Sequence, residues 1–226
     1  MAASGILLIR GGIKKIKIST LPCLIKRTLF VCFGILFLFG AGEEISWGQR
    51  IFGFETPPAI REINGQDEFN VHNIDKGLFD RSLRYGIALA SLVAFILFST
   101  GIRKIWGVSM PGFLTILSLI LCTVYQDAHL VDKPYWLAAV VCVFCIVYAL
   151  WKKDRAKLGL GLTTLAIMGL VLMLHRYRAA ELTSNSTPEV REWIFSLITF
   201  FYVRKILDDL PENQLQDLQD NSCFGK

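Results

Sequence analysis

Long uncharged apolar runs, separated by short charged loops, constrain this chain more than any other feature of its sequence. About 20 mostly apolar residues form one helical span, because a hydrocarbon core is about 30 Å thick. Of the 226 residues, 53% are hydrophobic and only 19% are charged. The pattern predicts an all-α, polytopic helical membrane protein, and it leaves no segment for a second, soluble domain.

The boundaries of the apolar runs predict about six transmembrane helices in a membrane domain at 28–205. A basic segment at 1–27 precedes this domain in the cytoplasm or at the membrane surface, and a polar tail at 206–226 follows it. The longest hydrophilic stretch is the loop 49–83, between the first two spans. The predicted spans are 28–48, 84–100, 108–125, 134–151, 158–175 and 189–203.

Basic residues in the short loops predict the orientation of the spans. They are concentrated in four segments, at 1–27, 103–104, 151–157 and 204–205. These segments alternate along the chain so that all four share one side, which is expected to be the cytoplasm. Both termini are then inside (N-in/C-in), and the loop 49–83 is periplasmic. A cleaved signal peptide is the alternative for the first run, whose charge-free part is short and ends in small residues.

The net charge of +5 is explained by these cytoplasmic loops and by anionic lipid headgroups. Nucleic-acid binding is not favoured, because the basic residues lie at helix ends and do not form one long stripe. The predicted partner is therefore the lipid bilayer, with a lipid or a membrane protein as a further candidate.

The predicted topology brings ionisable side chains together at the periplasmic ends of the spans. All three histidines fall on that side. Ionisable groups at membrane depth are costly and by default indicate function. Imidazole and carboxylate groups bind Zn²⁺, Mn²⁺ or Fe²⁺, and they can also transfer protons to a lipid headgroup or peptide. The candidate metal ligands are His72, His129, His175 and Glu192, and the candidate catalytic residues are Glu43, Glu44, Ser46 and Glu68.

A structural role for the same cluster remains open. The glutamates could pair with Arg50, Arg176 or Arg178 and hold helices together, and Trp47 is typical of an interfacial aromatic belt. The protein would then be a non-enzymatic membrane subunit or a transporter component. Transport is disfavoured because the centres of the second to fifth spans are nearly free of charge and no repeat is visible.

The motif GEEISWGQR at 42–50, followed by ETP at 55–57 and by spaced polar residues up to 73, resembles a pattern in uncharacterised small bacterial multi-pass membrane proteins. The resemblance covers about residues 42–73 and implies no activity. It implies a bacterial inner (plasma) membrane location, with the motif on the periplasmic side. Besides the candidates above, the motif contains Trp47, Gln49, Arg50, Asn70 and Asn73.

A second resemblance is to the membrane metal-hydrolase superfamily that includes the alkaline ceramidases and the adiponectin receptors. Those proteins combine a serine, an aspartate and three histidines around zinc, and here Ser46, Asp127 and the three histidines offer the same residue types. The superfamily also has seven spans and a paired H-x-x-x-H in its last helix, which this chain lacks. This likeness serves as an analogy only. If the chain is an enzyme, metal-dependent hydrolysis at the bilayer surface is the expected reaction, with Glu44 as base or ligand.

Overall fold

The computed structural model describes residues 1–64, Phe69, and residues 76–124, 133–176 and 187–210. These residues are almost entirely helical, with one short two-stranded hairpin, which confirms the all-α prediction. The elements are α1 (Ala2–Lys15), α2 (Leu21–Glu44), a 3₁₀ turn (Ser46–Gly48), α3 (Gln49–Phe52), α4 (Pro58–Arg61), α5 (Lys76–Ser99), β1 (Lys104–Ile105), β2 (Val108–Ser109), α6 (Phe113–Val124), α7 (Lys133–Trp151), α8 (Arg155–Arg176) and α9 (Thr187–Asp209).

Within the described part of the chain, four helices are long and apolar enough to cross a membrane, namely α2, α5, α7 and α8. Only 22–39% of the apolar window of each helix is buried inside the protein. Helices that are apolar yet largely uncovered by protein are stable in lipid and not in water. The fold therefore defines the class of the protein as a helical membrane protein.

The first span begins and ends earlier than the sequence predicted. Helix α2 covers Leu21–Glu44, whereas the predicted span was 28–48. The predicted start is wrong because it places Lys26 before the helix. Lys26 is instead buried within it, and its ammonium donates to the carbonyl of Trp106 at 3.1 Å. The 24-residue helix is about 36 Å long, so it needs no extension beyond Glu44 to cross a bilayer.

The third predicted span, at 108–125, is only partly helical in the described residues. Its first two residues form β2, which pairs with β1, and α6 begins only at Phe113. Pro111 and Gly112 precede α6, and both favour turns over a continuing helix. The 12 residues of α6 extend about 18 Å, which is less than the hydrocarbon thickness.

The other predicted spans coincide with helices. The spans 84–100, 134–151 and 158–175 lie almost wholly in α5, α7 and α8. Thr187 and Pro188 begin α9, as the cap-and-proline signal predicted. This helix contains the sixth predicted span, at 189–203, but it is not among the four candidate membrane helices.

The first of two compact units is built around a helical hairpin of α1 and α2. It comprises Met1–Arg81, Trp106–Val108 and Thr199–Lys226. Gly5 lies against Gly34 and Gly12 lies against Phe30, so the two helices run antiparallel. The last part of α9 joins this hairpin, where the Lys15 ammonium donates to a carbonyl of α9 at 2.7 Å. Much of the basic segment predicted at 1–27 is therefore a helix packed on the first candidate span.

The second unit comprises Ser82–Ile105 and Ser109–Ile198, so it contains most of α5 together with α6, α7 and α8. Its core consists of apolar side chains from all four helices. The Tyr135 hydroxyl donates to the Met168 carbonyl at 3.2 Å and joins α7 to α8. Cys142 and Cys145 are fully buried in this core.

Helices α5 and α7 end in the same kind of cap. In α7 the Asp154 amide donates to Ala149 and the Lys153 amide to Leu150, the paired hydrogen bonds of a Schellman motif. Equivalent bonds close α5. The residue that reverses the chain is Gly101 in α5, with a φ of 85°, but Lys153 in α7, with a φ of 53°. A side chain in this left-handed conformation costs about 1–2 kcal/mol.

We therefore expect Lys153→Gly to stabilise the protein by about 1 kcal/mol, because glycine adopts the required backbone conformation without that cost. The melting temperature of the purified protein in detergent should rise by about 2–4 °C. The matched change Gly101→Ala should lower it. Shifts in the same direction for both variants would contradict the assignment of the two caps.

Candidate functional site

The sequence motif folds into a compact structure beyond the end of α2, which we name the motif cap and define as residues 42–64. Helix α2 ends at Glu44 with Ile45 as its C-cap, and the three residues after Ile45 all have positive φ angles: 47° at Ser46, 52° at Trp47 and 85° at Gly48. Residues other than glycine rarely adopt this conformation, which requires support from the surrounding structure. The predicted continuation of the first helix to Gly48 is therefore wrong.

Trp47 provides part of that support by folding back onto α2. Its indole Nε1 donates to the Glu43 carboxylate Oε1 at 2.6 Å. Its ring packs edge-on against Phe39, with centroids 5.4 Å apart, and covers Gly42 so closely that a Cβ there would lie 2.8 Å from the ring. Glu43 is only 4% exposed, so a buried carboxylate is held by a charge-assisted hydrogen bond.

Gln49 organises the rest of the motif cap with both ends of its side-chain amide. Its Nε2 donates to the Thr56 hydroxyl at 2.8 Å, and its Oε1 accepts from the backbone amide of Phe69 at 2.6 Å. Thr56 is buried, and the ring of Phe69 packs edge-on against Phe54 at 5.9 Å. The polar residues of the motif thus hold its own turns together.

The structure brings together four of the predicted site residues, all in the motif cap. Glu43 and Ser46 are buried there, while Trp47 and Gln49 make the contacts described above. Glu44 is at the same helix end but exposed.

The remaining predicted residues belong to the second unit or lie outside the described residues. Glu192 lies on α9, in the second unit. The side chains of Arg50 and His175 lie outside the described residues, although their helices are described. Also outside the described residues are Glu68, Asn70, His72, Asn73, Asp127 and His129.

A metal centre is not supported by the described residues. Among them, no group of three or more His, Cys, Asp or Glu side chains is placed to hold a metal ion. The carboxylate of Glu43 is instead bonded to an indole nitrogen. A metal site that includes the histidines remains a prediction.

Sequence reasoning missed the buried polar residues Thr56 and Asn64. Both belong to the motif that carries the resemblance, which was the only available signal. The partner of Gln49 could not be inferred, because a hydrogen bond across seven residues of irregular chain has no sequence period.

The motif cap buries several of its polar side chains and exposes large apolar ones, alongside the exposed charged residues Glu44, Glu55, Arg61 and Glu62. Six large apolar side chains of the cap are exposed: Ile45 at 49%, Trp47 at 43%, Ile51 at 69%, Phe52 at 78%, Phe54 at 41% and Ile63 at 56%. Contiguous exposed apolar residues mark surfaces that meet a protein partner or a membrane. The cap therefore offers an apolar surface for contact, on a scaffold fixed by internal hydrogen bonds.

No known protein family, no curated protein and no solved structure matches the chain.

Proposed function

We propose that this chain is a six-span, non-enzymatic subunit of the bacterial inner membrane, and that its motif cap docks a partner membrane protein at the periplasmic face. The observation that carries the proposal is that the cap uses polar side chains internally and exposes large apolar ones. Glu43, Gln49 and Thr56 are engaged within it, whereas Ile51 and Phe52 are exposed. A catalytic site is expected to expose its polar groups to substrate, whereas a docking surface is expected to expose apolar ones.

The proposed spans are the four apolar helices together with the segments that contain α6 and α9. Within the first unit, contacts of basic residues support one common cytoplasmic side. Lys15 bonds to the carbonyl of Leu207 in α9, and Lys26 bonds to the carbonyl of Trp106. The N-terminal basic segment is therefore a neighbour, in this unit, of the end of α9 that contains Arg204 and Lys205 and of Trp106, and the positive-inside rule assigns both basic segments to the cytoplasm.

Within the second unit, contacts of basic residues also support one common cytoplasmic side. The Arg103 guanidinium stacks on Phe98, and the Lys152 ammonium lies over Trp151. The rings of Phe98 and Tyr148 are 5.6 Å apart, which brings the ends of α5 and α7 together. The basic residues that follow these two helices thus lie at one end of the unit.

The docking proposal is tested by placing a photoreactive amino acid at position 52 in the full-length protein in intact cells. We expect a discrete protein adduct, because Phe52 is the most exposed side chain among the large hydrophobics of the described residues. The adduct should disappear when Ile51→Asp is introduced into the same chain. A photoreactive residue at Val143, exposed on the apolar helix α7, is the matched control and should give no discrete protein adduct. Lipid adducts alone at position 52 would overturn the docking proposal.

The metal-dependent hydrolase is the second candidate, and one observation favours it. Phe69, three residues before His72 in the sequence, is bonded to Gln49 in the motif cap, which also holds the buried Glu43. Metal analysis of the purified protein decides between the two functions. A stoichiometric divalent metal that is lost in His72→Ala would replace the docking proposal with the hydrolase.

A further inference from the structure

Two cations are held on a run of three aromatic rings in the second unit. The Arg103 guanidinium carbon is 4.0 Å from the ring centroid of Phe98, and the Lys152 ammonium is 4.1 Å from that of Trp151. The Tyr148 ring lies between the other two rings, with its centroid 5.6 Å from that of Phe98 and 6.3 Å from that of Trp151. Cation–π contacts orient both charges without neutralising them.

The Arg103 side chain keeps most of its hydrogen-bonding capacity. Its Nη1 donates to the Phe98 carbonyl at 3.1 Å, near the end of α5. A guanidinium has five N–H donors in a fixed fork that matches the oxygens of a phosphate. The bond to the carbonyl orients this fork, and the side chain is exposed.

The turn between α7 and α8 adds further positive charge. Its sequence WKKDRAK contains a single acidic residue, Asp154. This carboxylate is paired with the Lys157 ammonium and accepts from the Lys157 amide, and these interactions lower the pKa of Asp154. The neighbouring cations Lys152, Lys153 and Arg155 are exposed, so the surface of the turn is basic.

An apolar strip leads directly to these charges. Val147 and Leu150, in the last turn and a half of α7, are each 55% exposed, and Trp151 is 71% exposed. A soluble anion would gain nothing from this strip. A ligand with a charged headgroup and acyl chains would use both features, because its chains would cover the strip while its phosphate contacted the cations.

We propose that Arg103 and Lys152, held on the Phe98–Tyr148–Trp151 run, bind the phosphate headgroup of an anionic phospholipid whose acyl chains lie along Val147 and Leu150. The binding itself does not depend on the proposed orientation of the protein. The assignment of the site to the cytoplasmic leaflet rests on that orientation. We name this place the inner-rim site.

Native mass spectrometry of the full-length protein in detergent tests the site. Phosphatidylglycerol should bind more tightly than phosphatidylcholine with the same acyl chains. A basic residue at an anionic surface contributes about fivefold in affinity, so R103Q/K152Q should weaken phosphatidylglycerol binding by about 25-fold. The charge-conserving variant R103K/K152R should retain the preference, and it separates loss of charge from loss of folding.

A matched control comes from α9, where Arg204 and Lys205 are exposed and ion-paired with Asp208 and Asp209. R204Q/K205Q removes the same charge and should change phosphatidylglycerol binding by less than about twofold, since each cation already has a carboxylate partner. An equal loss of phosphatidylglycerol binding in R204Q/K205Q would show that net charge alone explains the result for R103Q/K152Q, and it would overturn the site. Unchanged binding in R103Q/K152Q would overturn it as well.

Glycerol phosphate, which has the headgroup chemistry without acyl chains, should not compete with phosphatidylglycerol at equal concentration. Equal competition would identify a site for soluble anions and overturn the lipid proposal. Reporter fusions after residues 104 and 154 test the leaflet independently and should be active only as cytoplasmic reporters. Periplasmic activity of either fusion would contradict the proposed orientation without affecting the binding result.

Discussion

Replacing Gly5 with alanine is expected to destabilise the protein by about 2 kcal/mol, a typical cost of overpacking a close contact. An added Cβ would lie 2.7 Å from the carbonyl oxygen of Gly34 and 2.9 Å from the Leu38 Cγ. The first of these atoms is backbone, so it cannot move without separating α1 from α2. The melting temperature in detergent should fall by several degrees.

The control for this prediction is Gly159→Ala in α8, because a Cβ at Gly159 meets no atom within 4 Å. In an uncrowded helix this substitution stabilises by about 0.5–1 kcal/mol. The two variants therefore make the same chemical change and should shift the melting temperature in opposite directions. A rise for Gly5→Ala would mean that α1 does not pack closely against α2.

The substitution Trp47→Phe should destabilise the motif cap by about 1.5–3 kcal/mol, the range for a hydrogen bond to a charged group. Phenylalanine retains much of the packing against Phe39 but cannot donate to the carboxylate of Glu43. Burial of that carboxylate makes the lost bond costly. We expect a lower melting temperature and faster proteolysis within residues 49–64.

A double-mutant cycle with Glu43→Ala isolates this hydrogen bond from the packing of the ring. Once the carboxylate is absent, Trp47→Phe should cost at least about 1 kcal/mol less than it does in the parent chain. Additive effects would show that the indole and the carboxylate do not interact in the folded protein. The left-handed Ser46 and Trp47 would then need another source of support.

The helices α5, α7 and α8 could be predicted from the sequence because each is an uninterrupted apolar run close to the length of a membrane span. The first helix was predicted with the wrong ends. The basic residues Lys26 and Arg27 place the predicted start at Thr28, and the length of a membrane span extends the predicted end past Glu43 to Gly48. Lys26 lies inside the helix, where the Trp106 carbonyl, far away in the sequence, accepts a hydrogen bond from its ammonium.

The interior of the motif cap could not be predicted, although most of its residues were named in advance. Glu43 and Ser46 were interpreted as candidate catalytic groups, since an acidic residue near membrane depth indicates function. Their burial depends on three successive left-handed residues, two of which are not glycine. No local propensity favours that conformation, so tertiary contacts, including those of Trp47 and Gln49, are needed to stabilise it.

The sequence by itself determined the class of the protein, because apolar length and the spacing of charges are properties of neighbouring residues. Tertiary structure alone decided that α1 packs on α2, that Lys15 reaches the carbonyl of Leu207 across 192 residues, and that the motif holds itself together. Those arrangements depend on the close approach of backbones at glycines and on single hydrogen bonds between distant segments. Such contacts leave no period in the sequence, which is why the structure was needed to find them.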